Sequence, residues 1–501
     1  MTYSPLAASP CRLKVAMVVD NGIFGDSRVI KSAEAVAALG HDVTLFGADL
    51  GKEPPVIPGV NVQLLTIQNP GDYVPRMISI ENLLRIFVSM CFFASYKSDE
   101  KIFAKRSTLV SKREAIKEAR GRESIRGIAL LLAFYPRFFV HQLRKKLKVL
   151  RTKALRKVSY YFAKRRFSRE KSRRNRLLSV GSSAPWINFR YEEAFVEAIT
   201  ELEPDVIHTH DYKCVSVGAI AKEQLLKKGL STFWIYDAHE FLPGLTQYSP
   251  EWLELQCQNE STYIKQANCV VTVSSEIADL LVKTHNLTSC PNVILNAPSM
   301  LAATNSLRDL RIESNVSDKV LLGLYVGGVT PVRGLDVIIP ALEAILELHV
   351  TLLTKIDVNV ENMQFLAEEI GVGDRLHIVE YVSPNEIVPF ISTASFGIAP
   401  YLHLLNQEIS LPSKFYEYAC ANLPIVGSDV EVVKSVLGRT NVGEVFEAGN
   451  KDSFIEAVLK VSRNLEYYRD NYINSEFMEC TWEKQVVVLS NIYQSIGGQA
   501  S

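Results

Sequence analysis

The chain has 501 residues, of which 47% are hydrophobic and 22% charged, with 55 acids balancing 55 bases. That length holds two large domains or about three of ~150 residues, and the composition is that of a globular protein, not a disordered or fibrous one. Its eight cysteines show neither C-x-x-C nor metal-ligand spacing, which excludes a zinc ribbon or a disulfide scaffold and suits buried thiols in a reducing compartment.

The opening residues lack a basic stretch followed by a long apolar core, so no signal peptide is expected and the location is cytoplasmic. No run reaches ~18 uninterrupted apolar residues, so no spanning helix is expected. The apolar run at 14–19 predicts a strand buried on both faces of a parallel sheet. A loop with Gly22 and Gly25 follows, then a helix through 35–39 that stops at Gly40, then a strand at 41–46. This βαβ opening lacks a G-x-G-x-x-G fingerprint, so the Rossmann likeness is architectural only.

The balanced net charge conceals a sharp asymmetry. Residues 101–180 hold 26 Lys and Arg against the four acids Glu114, Glu118, Glu123 and Glu170, so a +22 block sits inside a −22 remainder. Basic clusters at 144–148, 164–166 and 173–174 alternate with apolar residues, and an apolar stretch at 128–140 is too short to span a bilayer and is broken by Pro136 and Arg137. Such a basic, helical insertion reads as a surface for anionic lipid across 125–178. A nucleic-acid partner is the less favoured reading of the same charge, and a solvated helical arm is the third.

Beyond it the α/β grammar resumes, with a helix near 192–202 and strands at 205–208, 232–236, 269–273 and 292–295. Residues 296–316, rich in Asn, Ala and Ser, read as a linker. A second cycle has strands at 320–326, 349–353, 376–379, 396–399 and 425–426, and a final helix at 483–496.

Five motifs sit at the ends of these strands. Asp26-Ser-Arg28-Val opens the first helix, His208-Thr-His210-Asp211 and Asp237-Ala-His239-Glu240 each end a strand, and Gly327-Gly328 opens a turn that closes with Arg333-Gly334. The fifth is Leu411-Pro-Ser-Lys414-Phe-Tyr-Glu417-Tyr, a Pro-punctuated loop entering a short helical segment. His208 and His210 face the same side of their strand, but without a third or fourth ligand no metal site is expected. Arg28 either holds a phosphate or lies exposed at its helix start. The strand-to-helix turn at 327–334 can aim backbone N–H groups at a phosphate, or is a plain turn carrying a surface Arg.

In order and placement, these motifs resemble the retaining glycosyltransferases of family 4, over about 12–75 and 185–495. The resemblance implies an α/β protein of GT-B fold, two Rossmann-like domains facing across a cleft with the basic helical insertion in the first domain. The expected boundaries are 12–298 for the acceptor domain (insertion 76–185), 299–480 for the nucleotide-sugar domain, and 481–501 for a helix returning to the first domain. Glu417 would hold the ribose hydroxyls, since a carboxylate accepts two charge-assisted bonds from a vicinal diol; the bland alternative is an exposed Glu in the first turn of a helix, favoured there by the dipole. Gly327, Gly328, Arg333 and Lys414 would meet the diphosphate, and His239 the reacting sugar. Gly22, Arg28, His210, Asp211, Asp237 and Glu240 would lie on the acceptor side.

The sequence departs from the family in two places. Many members carry a basic residue where Gly328 stands, and the first of two family Glu residues falls on Ile409. Either Glu408 serves in its place, or backbone amides along Ile409, Ser410 and Leu411 do. The implied activity is a metal-independent hexosyltransferase without a cofactor, moving a sugar from a nucleotide-sugar to a glycan or polyprenyl-linked acceptor at the inner membrane face. The alternative is a catalytically silent GT-B binding or assembly subunit.

Overall fold

The computed structural model describes residues 11–67, 188–246, 248–300, 308–384, 386–473 and 475–498. The expected insertion at 76–185 and the lipid surface at 125–178 lie outside them. Among the described residues no helix is long and apolar enough to cross a membrane.

The first domain is a seven-stranded, wholly parallel sheet. Its strands are β1 (Lys14–Val18), β2 (Asp42–Ala48), β3 (Val60–Leu65), β4 (Val206–His210), β5 (Phe233–Ala238), β6 (Cys269–Thr272) and β7 (Asn292–Val293). They lie in the order β3-β2-β1-β4-β5-β6-β7, so the winding reverses between β1 and β4, where parallel sheets of this kind open a crevice for ligands. The register pairs Met17 with His208 and His208 with Ile235, so β1, β4 and β5 end side by side. Asp20, Asp211 and His239 follow those ends on one edge.

The second domain repeats the plan with β8 (Leu321–Val326), β9 (Leu348–Leu353), β10 (Leu376–Val379), β11 (Phe396–Ala399), β12 (Ile425–Ser428) and β13 (Gly443–Phe446). The order is β10-β9-β8-β11-β12-β13, again all parallel. Gly327, Tyr381 and Tyr401 lie just beyond β8, β10 and β11. Both sheets have their central strands buried on both faces, which is why those strands read as unbroken apolar runs. Two edge strands have no such run. β3 alternates exposed and half-buried residues, and β13 is mostly half-buried.

The helix Trp482–Gly497 leaves the second domain and completes the core of the first. Trp482, Val486, Leu489 and Tyr493 pack with Val15, Met17, Val36 and Leu45 in one cluster; each such side chain contributes about 1.5–3 kcal/mol of transfer free energy. The connecting strand of chain is fixed at nearly every residue: Arg28 Nη1 donates to Ile294 O (2.6 Å), Gln485 accepts from Leu295 N (2.9 Å), and Trp482 N donates to Pro298 O (2.8 Å). The expected linker of 296–316 is therefore shorter as a spacer. Leu310–Glu313 is helical, and Arg311 ties it to Thr393 O and Ser317 O of the second domain.

Candidate active site

On the first-domain wall the charges compensate one another. Asp26 caps the helix Ser27–Ala38 by accepting from Val29 N, which places Arg28 in its first turn, pointing into the protein. Arg28 is 3% exposed and grips Asp237 through two parallel hydrogen bonds, Nε to Oδ2 and Nη2 to Oδ1, both 2.8 Å. It neither lies at the surface nor has a face left for an acceptor phosphate, because its third donor is taken by Ile294 O. This corrects both sequence expectations for Arg28. A planar fork of this kind suits a buried carboxylate better than any lysine.

Asp237 is the hub of this wall. Its Oδ2 lies 3.1 Å from His210 Nδ1 and 3.4 Å from His239 Nε2. Burial by itself raises the Asp237 pKa, but Arg28, His239 and His210 outweigh it and hold the carboxyl well below its usual range. His239 shows the mirror balance: burial lowers it, Asp237 raises it, and the net shift is upward. His210, wholly buried, is lowered by burial despite Asp237, and His208 stacks on it at 4.3 Å and is lowered further.

Beside them Asp211 sits at φ 67°, an unusual backbone for a residue with a Cβ, and accepts from Tyr212 N (2.7 Å). Burial lifts its pKa to about 7 against the pull of His239. Gly22, in the loop after β1, has a close neighbour: a Cβ there would lie 2.9 Å from the Leu50 side chain. Glu240 lies exposed at the rim, yet the surrounding walls desolvate its carboxyl enough to raise its pKa, with Arg333 of the second domain pulling the other way. The two walls are thus in electrostatic contact. They also touch at Ser274 Oγ, which donates to Ile409 O (2.9 Å), and at Gly244, where a Cβ would meet Asn406.

The second-domain wall is built the opposite way. Lys414, in the second position of the helix Ser413–Cys420, is 6% exposed, and its Nζ has no hydrogen-bond partner among the described residues. The ammonium lies 3.8 Å above the Tyr325 ring and 5.1 Å from that of Tyr401. Burial, then Arg333, pushes its pKa well down, and only Glu417 offsets them. Glu417, one turn on, is raised by burial and lowered by Lys414 and Lys31. By surface area it is half-buried, but its Oε2 is enclosed and unpartnered, so it is not the exposed first-turn glutamate of the bland sequence reading.

Tyr401 Oη and Thr330 Oγ1 are likewise enclosed without partners. Gly327, at φ 131°, leaves room for the lysine, since a Cβ there would come 3.1 Å from Lys414 Nζ. A Cβ on Gly328 would meet nothing within 4 Å. Gly334, at φ 69°, admits no side chain: a Cβ would collide with Pro400 O at 1.9 Å. That contact seats Arg333 against β11. Pro412, which precedes the helix, offers no side-chain cap, and its carbonyl accepts from Phe415 N (2.9 Å), so the amides of Ser413 and Lys414 are the ones available to an anion.

The structure gives Glu408 other partners than a sugar. One carboxylate oxygen pairs with His403 Nδ1 (2.6 Å), and the other accepts from Glu431 N (2.6 Å) at the start of the helix Glu431–Thr440. Ser410 and Leu411 lie half-buried in the turn before Ser413, with Leu411 packed on the second-domain core. His208, His210 and Asp237 do present atoms within 4.8 Å of one another. Asp237 is thus the third candidate ligand that the sequence reading lacked, although both its oxygens accept from Arg28 and His208 Nδ1 lies 3.1 Å from Tyr493 Oη; His208 Nε2 and His210 Nε2 are enclosed without a partner among the described residues. Sequence reasoning missed Tyr325, Tyr401 and Lys31. The last carried no stripe signal, because Lys31 lies on the face of its helix that holds Arg28 and Ala35, away from Val29, Ala33 and Val36.

Residues 308–476 match the family model described as Glycosyl transferases group 1. A comparison with curated protein sequences finds no match. Among solved structures, the chain resembles sucrose-phosphate synthase from Thermosynechococcus elongatus (TM-score 0.60, 13% identity, 98% of this chain and 100% of that one). It also resembles Anabaena HepE in complex with UDP-glucose (TM-score 0.58, 11% identity, 97% and 100%). A third is α,α-trehalose 6-phosphate synthase from Burkholderia multivorans (TM-score 0.55, 11% identity, 98% and 99%). The second domain thus resembles the glycosyltransferase group 1 domain, and the two parallel sheets have the GT-B fold.

Proposed function

We propose that the protein is a glycosyltransferase that uses a nucleotide-sugar, binds the nucleotide on the second-domain wall, and seats its acceptor on the first. The observation that carries this reading is the pair Lys414 and Glu417, a buried ammonium without a hydrogen-bond partner and a carboxylate with an enclosed, unpartnered oxygen, one helical turn apart. Leaving such groups unpaired costs about 1–3 kcal/mol each or more, and a folded protein retains that cost where a ligand removes it. A nucleoside diphosphate supplies both missing partners: phosphate oxygens for Lys414 and a ribose diol for Glu417. Anabaena HepE, of the same fold, is known in complex with UDP-glucose.

Chemically, the sugar's C1–O bond to the diphosphate breaks and its electrons pass to the leaving phosphate. The charge that develops there is met by Arg333, the Lys414 ammonium and the free amides of Ser413 and Lys414, which supports a reaction needing neither metal nor cofactor. The acceptor hydroxyl forms the new bond to C1, and retention of configuration follows if it attacks from the leaving group's side and passes its proton to the departing phosphate. His239, 18% exposed and oriented by Asp237, is placed to hold a sugar hydroxyl. A glycan or polyprenyl-linked acceptor at an anionic membrane face is the substrate class we favour, on the +22 charge of residues 101–180.

Calorimetry with uridine and guanosine diphosphates tests the donor site. Glu417→Ala is expected to raise the dissociation constant at least about tenfold, the loss of one or more charge-assisted hydrogen bonds. Unchanged affinity would reject the assignment. Release of nucleoside diphosphate from a panel of nucleotide-sugars, in the presence of membrane extract, separates an enzyme from a silent subunit of the same fold.

A further inference from the structure

Loops from the two domains meet at Gly244. This glycine ends the short turn Leu242–Gly244, five residues after His239, and the turn is firmly seated: Leu242 is fully buried and packs with Tyr212 and Leu245. A Cβ on Gly244 would lie 2.7 Å from Asn406 Oδ1, 2.8 Å from its Cγ and 3.1 Å from its Nδ2. The whole carboxamide of a second-domain residue thus lies against the bare backbone of a first-domain glycine. Gly244 is not among the glycines of positive φ, so its backbone suits any residue and glycine is required there by the close approach alone.

Asn406 is held from its own side as well. Its neighbour Gln407 donates from Nε2 to Val332 O (3.2 Å) and accepts from Leu402 N through Oε1 (2.9 Å), which ties residues 402–407 to the turn that carries Arg333. Three residues beyond Asn406, Ile409 O accepts from Ser274 Oγ (2.9 Å), a second point where the same segment rests on the first domain. The two contacts differ in kind. Ser274 holds the segment by a hydrogen bond, whereas Asn406 Oδ1 is enclosed without a partner among the described residues. An enclosed, unpaired carboxamide disfavours the contact it makes, so this one is kept for a reason other than stability. It acts by shape: the carboxamide stops the approach of the two loops at a set distance.

We propose that Gly244 and Asn406 are positioning residues that form a spacer between the walls: the carboxamide resting on the glycine fixes how far the turn of Arg333 stands from the strand end of His239. The spacing matters because the proposed reaction splits one substrate between the walls, with the sugar at His239 and the diphosphate at Arg333. A misplacement of about 1 Å in such an arrangement costs on the order of 10²-fold in rate. The inference rests on the glycosyltransferase reading given above. It gives a role to two residues that none of the five sequence motifs contains.

The test uses the full chain as wild type, Gly244→Ala, Gly244→Val, Asn406→Ala and the double variant Gly244→Ala with Asn406→Ala. Turnover is read as nucleoside diphosphate released from a panel of nucleotide-sugars with membrane extract, and nucleotide affinity by calorimetry with uridine and guanosine diphosphates. Gly244→Ala is expected to lower kcat about tenfold and Gly244→Val about a hundredfold. Diphosphate dissociation constants should stay within about twofold of wild type, because the nucleotide's partners all lie on the second domain. The double variant, which removes the obstructing carboxamide, should recover the rate of Asn406→Ala alone. Wild-type turnover by Gly244→Val, a loss that the second substitution leaves in place, or an equal loss of diphosphate affinity overturns the proposal. Hydrogen exchange over residues 240–246 and 402–411 separates this failure from that of the glycosyltransferase reading. If wild type releases diphosphate from no nucleotide-sugar, that reading falls. Faster exchange of both segments in Gly244→Ala, reversed in the double variant, then still supports the spacer, and a change confined to 240–246 removes it.

Discussion

The two walls of the cleft handle buried charge in opposite ways. On the first domain Arg28 and Asp237 neutralise each other through two 2.8 Å bonds, and the histidines are arranged around that pair. On the second, Lys414 and Glu417 are enclosed with bonding capacity unused. On the first wall the formal charges are paired, although His208 and His210 each keep an enclosed Nε2 without a partner among the described residues, while on the second the charged groups themselves are unpaired and gain stability from what they bind. Removing a charge should therefore cost folding on one side and binding on the other.

The largest expected effect tests the paired wall. Asp237→Asn leaves the Arg28 guanidinium buried without its counter-charge, and breaking a buried pair in this way costs about 3–5 kcal/mol. Chemical denaturation should show it directly, and a variant as stable as wild type would end the contrast. Next comes Lys414→Met, which removes an unpaired buried charge. Its melting temperature should stay level or rise, while turnover falls about 10²–10³-fold, the usual loss for one preorganised group facing developing charge. Destabilisation matching that of Asp237→Asn would show that Lys414 has a structural partner after all.

His239→Ala sharpens the comparison from the boundary between the walls. It is expected to lower kcat about a hundredfold, the scale of a small misplacement of the reacting centre, with diphosphate affinity near wild type. An equal loss of diphosphate affinity would move His239 into the nucleotide site. The smallest effect concerns pH. His208 and His210 have lowered folded pKa values, so their contribution to stability is present above the ordinary histidine pKa of about 6.5 and is lost as pH falls through the folded values. His239 is shifted upward and works with the opposite sign, its contribution being lost as pH rises. His210→Gln should flatten the fall in stability below pH ~6.5; an unchanged slope would mean that the buried pair does not govern acid sensitivity.

The sheets were legible because strands covered on both faces must be apolar throughout, as residues 15–19 and 320–326 are. β3 and β13 were not, because an edge strand has one solvent-facing row and its Asn61, Gln63 and Glu444 break the run. Within the site, motif order located Lys414, Glu417 and His239 without showing what each side chain would face. Arg28 was read as exposed or as a phosphate ligand, and it is neither, because its partner lies 209 residues away in the chain. Glu408 illustrates the same limit. One residue of displacement turned it toward His403 and a helix start, while Ile409 presents its carbonyl to Ser274.

The returning helix has a consequence for how the protein is made. Trp482 and Tyr493 fill the core of a domain whose first strand begins at Lys14, so that core cannot close until the chain has been made as far as Tyr493. At ~5–20 residues per second, the stretch from Pro298 to Trp482 alone takes on the order of ten to forty seconds to synthesise. For that interval Met17, Val36 and Leu45 lack the apolar surface that finally covers them. The second domain waits too, since Tyr472 and Phe477 share a cluster with Leu322 and Phe415, but that cluster is complete before Trp482 is made. During biosynthesis the order of maturation is thus the reverse of the order of translation, and the nascent first domain is the segment with most need of a chaperone.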